Sequence, residues 1–462
     1  MERLVVPGLS EAESLILNQL ADRIEAKRPR NELRQRWMDG KRSARILSPM
    51  LPPYLRNTGA ALGWPAKAVE ALARRTHLDA FAIPGSDLSA FGLDRIIDDN
   101  RYMEEVRESH IDSLSMSVVF EVVTRGGEGE PDALITAKSA LDATGGWNGR
   151  TRRLDSFLSV IGRADDGKPA DMNLYLPGET IIIEGRRVVD RSTHQLWVPA
   201  HPVAYKRRLT RPFGQSRISR SVMWLTEAAI RAMLRMEGTA DFYSVPMLVL
   251  LGATLEQMSQ EGQAAVSTWQ FLMDRINGIP DDDGAEQPRA EVKQLSQATQ
   301  QPHMDQLDEI AAAFAGETGI PVSSLGIGVK QANPTSADSY MASREDLIAE
   351  AEDAADSWGP EHVRTLQDAW LLASGEAVLP PELRKLRPVW RDARLSSRAA
   401  AADATAKLVG AFPWMADSDA ILDAVGLDPM LVERLRADKA KSAARASLLA
   451  LTGGAPNATV QG

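Results

Sequence analysis

Apolar positions open the chain at helical spacing. Ser10 is followed three residues later by Glu13, and Leu15, Ile16, Leu20 and Ile24 then fall on one face, so a capping box starts a first helix. Pro29 and the polar run behind it are expected to end that helix. A second helical pattern runs from Pro65 through Val69, Leu72 and Ala73. At Met116 the period changes to short β-type runs: Ser117 to Val123, Leu154 to Ile161, Met172 to Leu176 and Thr180 to Glu184, separated by Gly, Pro and Asp clusters. Strands at that spacing predict an antiparallel sheet, hence an α+β fold.

The helical period returns near Arg217. Val222, Leu225, Ala229, Met233, Met236 and Tyr243 share a face of a helix that Pro246 stops, and both methionines are read as packing residues. Trp269 to Ile276 and Glu291 to Leu295 read as strands flanking a Gly/Pro/Asp loop. Met304, Leu307, Ala311 and Phe314 line another helix, closed by Gly316 and Gly319-Ile320-Pro321. After a loop from Ser323 to Asn333, Thr335 with Asp338 is an N-cap pair for a long helix from Ser336 to Ser357, which Gly359-Pro360 kinks or restarts. From about Pro380 the chain is Ala- and Arg-rich and reads as helical.

Length and charge narrow the picture. A chain of 462 residues holds about three units at roughly 150 residues each. Lys plus Arg total 53 against 63 for Asp plus Glu, a net charge of -10. That balance argues against a surface that coats nucleic acid, which needs cations to displace counterions, but not against DNA passing through without being gripped. With no cysteine, disulfides, thiolate nucleophiles, cysteine zinc sites and iron–sulfur clusters are excluded. Met1 to Leu4 lack a secretory apolar region, and the longest apolar stretch, Val245 to Leu255, is broken by Pro246 and Gly252 and falls short of the ~20 residues of a membrane helix. The expectation is a soluble, intracellular product with no membrane partner.

Candidate chemistry is sparse. The histidines 77, 110, 194, 201, 303 and 362 include no zinc-helix spacing, and His194 with His201 is the one pair that could meet. There is no phosphate-binding loop, dinucleotide fingerprint or nucleophile elbow, and Gly145-Gly146-Trp147-Asn148-Gly149 reads as a turn. Asp281, Asp282 and Asp283 could hold divalent cations, although in a Gly/Pro loop such residues are ordinarily solvated turn formers. Lys206, Arg207, Arg208, Arg211, Arg217 and Arg220 form an acid-free basic segment, open to phosphate or to ion pairing. Glu345, Asp346, Glu350, Glu352, Asp353, Asp356 and Glu361 make the long helix acidic, a solvated face or one that repels DNA. No cofactor, resident metal or catalytic residue is expected, so the chain does not read as an enzyme.

The order of elements, with several local strings, resembles the portal proteins of tailed bacteriophages, of the siphophage type. Arg36-Trp37-Met38-Asp39-Gly40-Lys41 is similar to the family's opening, and Asn100 with His110 to its N…H segment. Phe213 to Ser219 resembles the Gly-x-Ser segment before the first stem helix, Gly319 to Gly326 the G-I-P-x-x-x-L-G string, and Asn333-Pro334-Thr335-Ser336-Ala337-Asp338 the N-P-x-S-A start of the long helix, with Asp338 where Glu is common. The resemblance implies a wing over residues 1–216, a first stem helix at 217–245, a clip at 246–302, a second stem helix at 303–318 and a channel loop at 319–335. A long wing helix follows at 336–375, kinked near Gly359-Pro360, and then a crown with a C-terminal tail at 376–462. It further implies a ring, usually of twelve subunits, at one capsid vertex of the virion, assembled in the host cytoplasm. Double-stranded DNA would pass its channel, and major capsid and scaffold proteins, the packaging ATPase (terminase) and the head-tail connector would dock on it. Val329, Lys330, Gln331 and Asn333 would face the DNA, and Asp281 to Asp283 would take part in docking at the clip. Two other readings stay open: a metal-dependent nucleic-acid enzyme built on the three aspartates and the basic segment, and another ring-forming virion connector.

Overall fold

The computed structural model describes residues 3–42, 59–243, 248–251, 276–279, 291–294, 299–326, 344–394, 398–417, 421, 425 and 429–452. It divides into two compact units, 1–393 and 394–462. In the first unit helix α1 spans Glu11–Met38, α2 Trp64–Ala73, β1 Leu78–Ala82, α3 Leu93–Asp99 and α4 Tyr102–Met116. Strands β2 (Val118–Arg125), β3 (Ala133–Ser139), β4 (Ala143–Asn148), β5 (Arg153–Arg163), β6 (Pro169–Leu176), β7 (Glu179–Glu184), β8 (Arg187–Thr193) and β9 (Ala200–Ala204) follow. Then come α5 (Arg220–Tyr243), β10 (Leu248–Leu251), β11 (Ile276–Ile279), β12 (Glu291–Gln294), α6 (Gln301–Thr318), α7 (Glu345–Ser374) and β13 (Arg387–Trp390). The second unit holds α8 (Arg398–Ala411) and α9 (Pro429–Thr452). Among the described residues no helix is long and apolar enough to cross a membrane.

The capping box at Ser10 is formed: its hydroxyl accepts from the Glu13 amide at 3.3 Å and its own amide donates to the Glu13 carboxylate at 2.7 Å. Pro29 does not end α1, which continues nine residues further to Met38. The later turns are held from outside. Buried Asn31 donates to the carbonyl of Ala140 at 2.9 Å, Arg34 to that of Met116 at 3.2 Å, and Arg28 meets Asp142 at 2.9 Å. These tertiary bonds offset the one donor the proline removes.

The strands are mostly antiparallel, so the α+β class is the observed one. Five strands in the order β4-β5-β6-β7-β8 form one sheet, whose inner face (Leu158, Met172, Ile181) packs under Leu17, Leu20 and Ile24 of α1. A second sheet, β3-β2-β9, is buried between the first and the long helix. Gly145 and Gly146 are part of β4, not a turn, with a bulge between Gly146 and Trp147; the turn comes after them, where Asn148 accepts from the amides of Arg150 and Thr151. A third sheet has order β11-β10-β12, with β10 parallel to β11 and antiparallel to β12. The second of the two expected strand segments matches β12; the first is observed only at its end, in β11, because most of Trp269 to Ile276 lies outside the described residues. The segment after 380 is not helical throughout: β13 returns to pair antiparallel with β1, clamped by Arg391 to Asp79 at 2.6 Å.

The described helix α7 begins at Glu345, and the expected start at Ser336 lies outside the described residues. Arg344 has non-helical angles (φ -119°, ψ 1°), and Glu345 with Asp346 puts negative charge on the first turn, where the helix dipole favours it. Gly359 and Pro360 do not restart it, and one helix runs to Ser374. Gly359 is there for space: a Cβ would lie 2.9 Å from Cγ of Pro388 on β13. Along α5 and α6 the expected apolar face is buried at Val222, Leu225, Ala229, Leu307, Ala311 and Phe314. Met233 is an exception at 43% exposed, so it is not the packing residue expected, while Met236 packs partly.

Candidate functional site

Side-chain chemistry concentrates where α7 lies on β2 and β9. Arg217, at the entrance to α5, is the hub. The string before it is shaped by backbone constraint: Gly214 has φ +65°, and a Cβ there would sit 2.1 Å from the carbonyl oxygen of Tyr205. Ser216 then donates to Ser115 O and accepts from the Ile218 amide at 3.0 Å, fixing the turn that buries Arg217. The Arg217 guanidinium donates to Ala68 O within α2, to Thr318 O at the end of α6, to the Tyr205 hydroxyl at 3.1 Å and to Glu350 of α7. Three helices and Tyr205 are thus tied through one side chain that is 4% exposed. Lys206 also pairs with Glu350. Burial works to raise the Glu350 carboxyl, but the charge of Arg217 and bonds from Lys206, Tyr205 and Arg217 bring it below the usual carboxylate range.

About three turns along α7 a second tie forms. Arg207 meets Glu361 at 3.0 Å with its guanidinium 5.1 Å over the Trp147 ring, and Arg364 reaches the same carboxylate at 3.1 Å. His201 of β9 contacts Asp368 at 2.9 Å. The basic segment and the acidic helix, read separately in the sequence, therefore meet in part: Lys206, Arg207 and Arg217 pair with Glu350 and Glu361. Arg208, Arg211 and Arg220 remain at the surface.

Beneath these lies a sealed polar cluster. Glu121 of β2 accepts from Thr365 at 2.7 Å and from the Tyr102 hydroxyl at 2.8 Å, and its second oxygen lies 2.9 Å from Nδ1 of His362. Nε2 of His362 is 3.0 Å from Nε2 of His110, which stacks on Trp358. Burial and the neighbouring His362 push His110 well below its ordinary value of 6.5, so it is neutral; burial and Glu121 raise the Tyr102 phenol. Burial would raise Glu121 too, but His362, Thr365 and Tyr102 outweigh it and leave the carboxyl lowered. The carboxylate, imidazole and hydroxyl resemble a catalytic relay, yet Glu121, His362 and Thr365 are fully buried, so no substrate reaches them. The cluster locks α7 to the sheet. Asn100 of the N…H pair plays the matching part for β3, with its side chain donating to Ala133 O at 2.9 Å and accepting from the Ile135 amide at 2.8 Å.

His194 and His201 do not form a metal pair: His194 lies 3.2 Å from the Thr180 hydroxyl while His201 turns to Asp368. Among the described residues no group of three His, Asp or Glu is placed to hold a metal ion. Val329, Lys330, Gln331 and Asn333 lie outside the described residues, as do Asp281, Asp282 and Asp283. The first set falls between the short 3-10 turn Val322–Leu325 and α7, the second in the connection from β11 to β12. Sequence reasoning missed the Glu121–His362–His110 cluster because its members are 11 to 252 positions apart, although acidic Glu121 in the apolar run Ser117 to Val123 was a signal: a charge in a buried strand requires a partner.

Comparison with known proteins resolves the family. The family profile described as "Phage portal protein, SPP1 Gp6-like" matches residues 17–414. The portal protein of Mycobacterium phage D29 is 25% identical over 385 residues, covering 81% of this chain and 78% of its own. That of Mycobacterium phage L5 is 23% identical over 421 residues, covering 88% and 84%. Among solved structures, a chain of the virion of a native gene transfer agent particle aligns at 14% identity over 79% of this chain and 90% of its own, with a TM-score of 0.39. A match that takes in all the described strands, the α5/α6 pair and the whole of α7 makes this chain a member of the SPP1 Gp6-like phage portal protein family.

Proposed function

We propose that the chain forms a closed ring of twelve subunits at one capsid vertex, through which double-stranded DNA enters during packaging and leaves on ejection. The observation that carries this reading is the family match from residue 17 to residue 414. In it, residues 1–216 and 336–375 are the wing, α5 and α6 the stem, 246–302 the clip and 376–462 the crown and tail. Val329, Lys330, Gln331 and Asn333 face the DNA. Asp281 to Asp283 sit on the clip surface that receives the packaging ATPase and later the head-tail connector, and capsid and scaffold proteins hold the rim. The ring assembles in the host cytoplasm and remains in the virion, and it catalyses no reaction itself.

The physical chemistry supports a conduit. DNA must slide, and an overall charge of -10, with Lys206, Arg207 and Arg217 of the basic segment paired to α7, suits weak phosphate contact. A ring also needs subunits that transmit load without deforming, which suits a long helix tied at several points to a sheet. Deleting Gly328 to Ala332 tests the loop: rings are expected to form while genome packaging or retention is impaired, and normal packaging and retention would overturn its channel assignment. Reversing the charge of Asp281, Asp282 and Asp283 should weaken binding of the packaging ATPase or the connector without affecting rings; unchanged binding of both would remove the docking role.

A further inference from the structure

Helices α5 and α6 pack together through Val222, Leu225, Ala229, Leu307, Ala311 and Phe314, and each leaves another face open. On α5 that face carries exposed Arg220 and Trp224 and, further along, the partly buried Arg231 and Arg235, with Glu227 as its one carboxylate. Trp224 is 60% exposed, a large apolar surface in the middle of the cations. Arg231 is braced by Glu227 at 3.6 Å and Arg235 by Gln306 at 3.5 Å, so both guanidinium groups are held in place. On α6 the exposed residues include Asp305, Glu309, Ala312, Ala313 and Gly316, and the helix contains no Lys or Arg. One open face is therefore basic around an aromatic ring. The other is acidic at one end and shallow at the other.

These faces match in height. Contacts of Ser219 with Glu317 at 3.0 Å, Arg235 with Gln306 and Thr239 with His303 at 3.4 Å fix the antiparallel register of the pair. In that register Trp224 is level with Ala312 and Ala313, Arg231 with Glu309, and Arg235 with Asp305. Within one chain these partners do not meet, because the acids lie on the side of α6 away from its buried face. If the ring axis runs along these helices, rotation about it preserves height, and neighbouring copies then present the same levels to each other. We propose that α5 of one copy docks on α6 of the next, with Trp224 over the Ala312–Gly316 surface and Arg231 and Arg235 against Glu309 and Asp305. This rests on the ring reading above and assigns the surface that closes it. The Arg and Trp face could also meet DNA, but an acidic partner in register on the same molecule favours a second copy.

The absence of cysteine makes the test direct. Chains carrying Arg231→Cys and Glu309→Cys singly are mixed, assembled under conditions where the unmodified chain forms rings, and oxidised. A disulfide-linked dimer is expected in the mixture and in neither chain alone, and the doubly substituted chain should give a ladder up to the complete ring. Independently, Arg235→Glu should raise the concentration for half-assembly about tenfold, and Asp305→Arg in the same chain should restore it. Rings that form without the mixed dimer and tolerate Arg235→Glu overturn the assignment and leave the ring reading intact. So do normal rings in which Arg235→Glu impairs DNA passage alone, which would give the basic face to DNA. Failure of the unmodified chain to form rings would refute the ring reading itself, and this inference with it.

Discussion

Arg217 shows how much a single side chain can fix. Its guanidinium is buried and reaches α2, α6, α7 and Tyr205 at once, a fork that a lysine ammonium cannot reproduce. Arg217→Lys leaves buried acceptors and the Glu350 carboxylate under-satisfied, and we expect a loss of about 3 kcal/mol in urea unfolding. A loss under about 0.5 kcal/mol would mean the contacts are not cooperative. His110 gives a pH signature with a definite sign. Its folded-state proton affinity is depressed below the ordinary 6.5, so the unfolded chain takes the proton first; its contribution is complete above pH 6.5 and falls away as pH drops below it. Glu121, lowered from 4.5, adds a loss only at more acid pH. His110→Gln should therefore flatten the decline of stability just below pH 6.5, as followed by urea midpoints across a pH series. An unchanged slope would show that His110 is not the group that titrates.

At the scale of elements, two glycines in helices should respond in opposite senses. In exposed helix interiors Ala is favoured over Gly by roughly 0.5–1 kcal/mol. Gly316 on α6 has nothing within 4 Å of a would-be Cβ, so Gly316→Ala should stabilise by that amount. Gly359→Ala on α7 meets Pro388 at 2.9 Å and must push β13 away, so it should destabilise by about 1–3 kcal/mol and loosen the β1–β13 pair, measurable as faster amide exchange at Phe81 and Ala82. Equal responses at the two positions would contradict the close approach. The same contrast explains what could be read from the chain. The Ser10 box, the Val222–Ala229 and Leu307–Phe314 faces and the strand runs after Met116 are set by local periodicity and capping, which the sequence carries in full. Pro29 inside α1, Gly145 inside β4 and the pairing of β13 with β1 depend on residues far along the chain, such as Asn31 with Ala140. Local propensity points the other way there, and tertiary bonding overrides it.

For the whole molecule, family membership was visible in strings such as Phe213 to Ser219 and Gly319 to Gly326, and the structure gives those strings physical work. The first buries Arg217, and the second caps α6 and turns buried Ile320 into the core. The candidate site was less legible: ion pairs such as Arg207–Glu361 join segments 154 positions apart, which no spacing rule connects. The β3-β2-β9 sheet and the long helix form one braced body, and in the proposed ring the α5 and α6 faces meet neighbours. The ring is tested most directly by the particle mass of the purified protein together with negative-stain images, taken alone and with scaffold protein. Closed particles with a central hole and a mass of twelve chains of 50.4 kDa are expected. Monomers or small dimers at every concentration, with scaffold present, would contradict the ring.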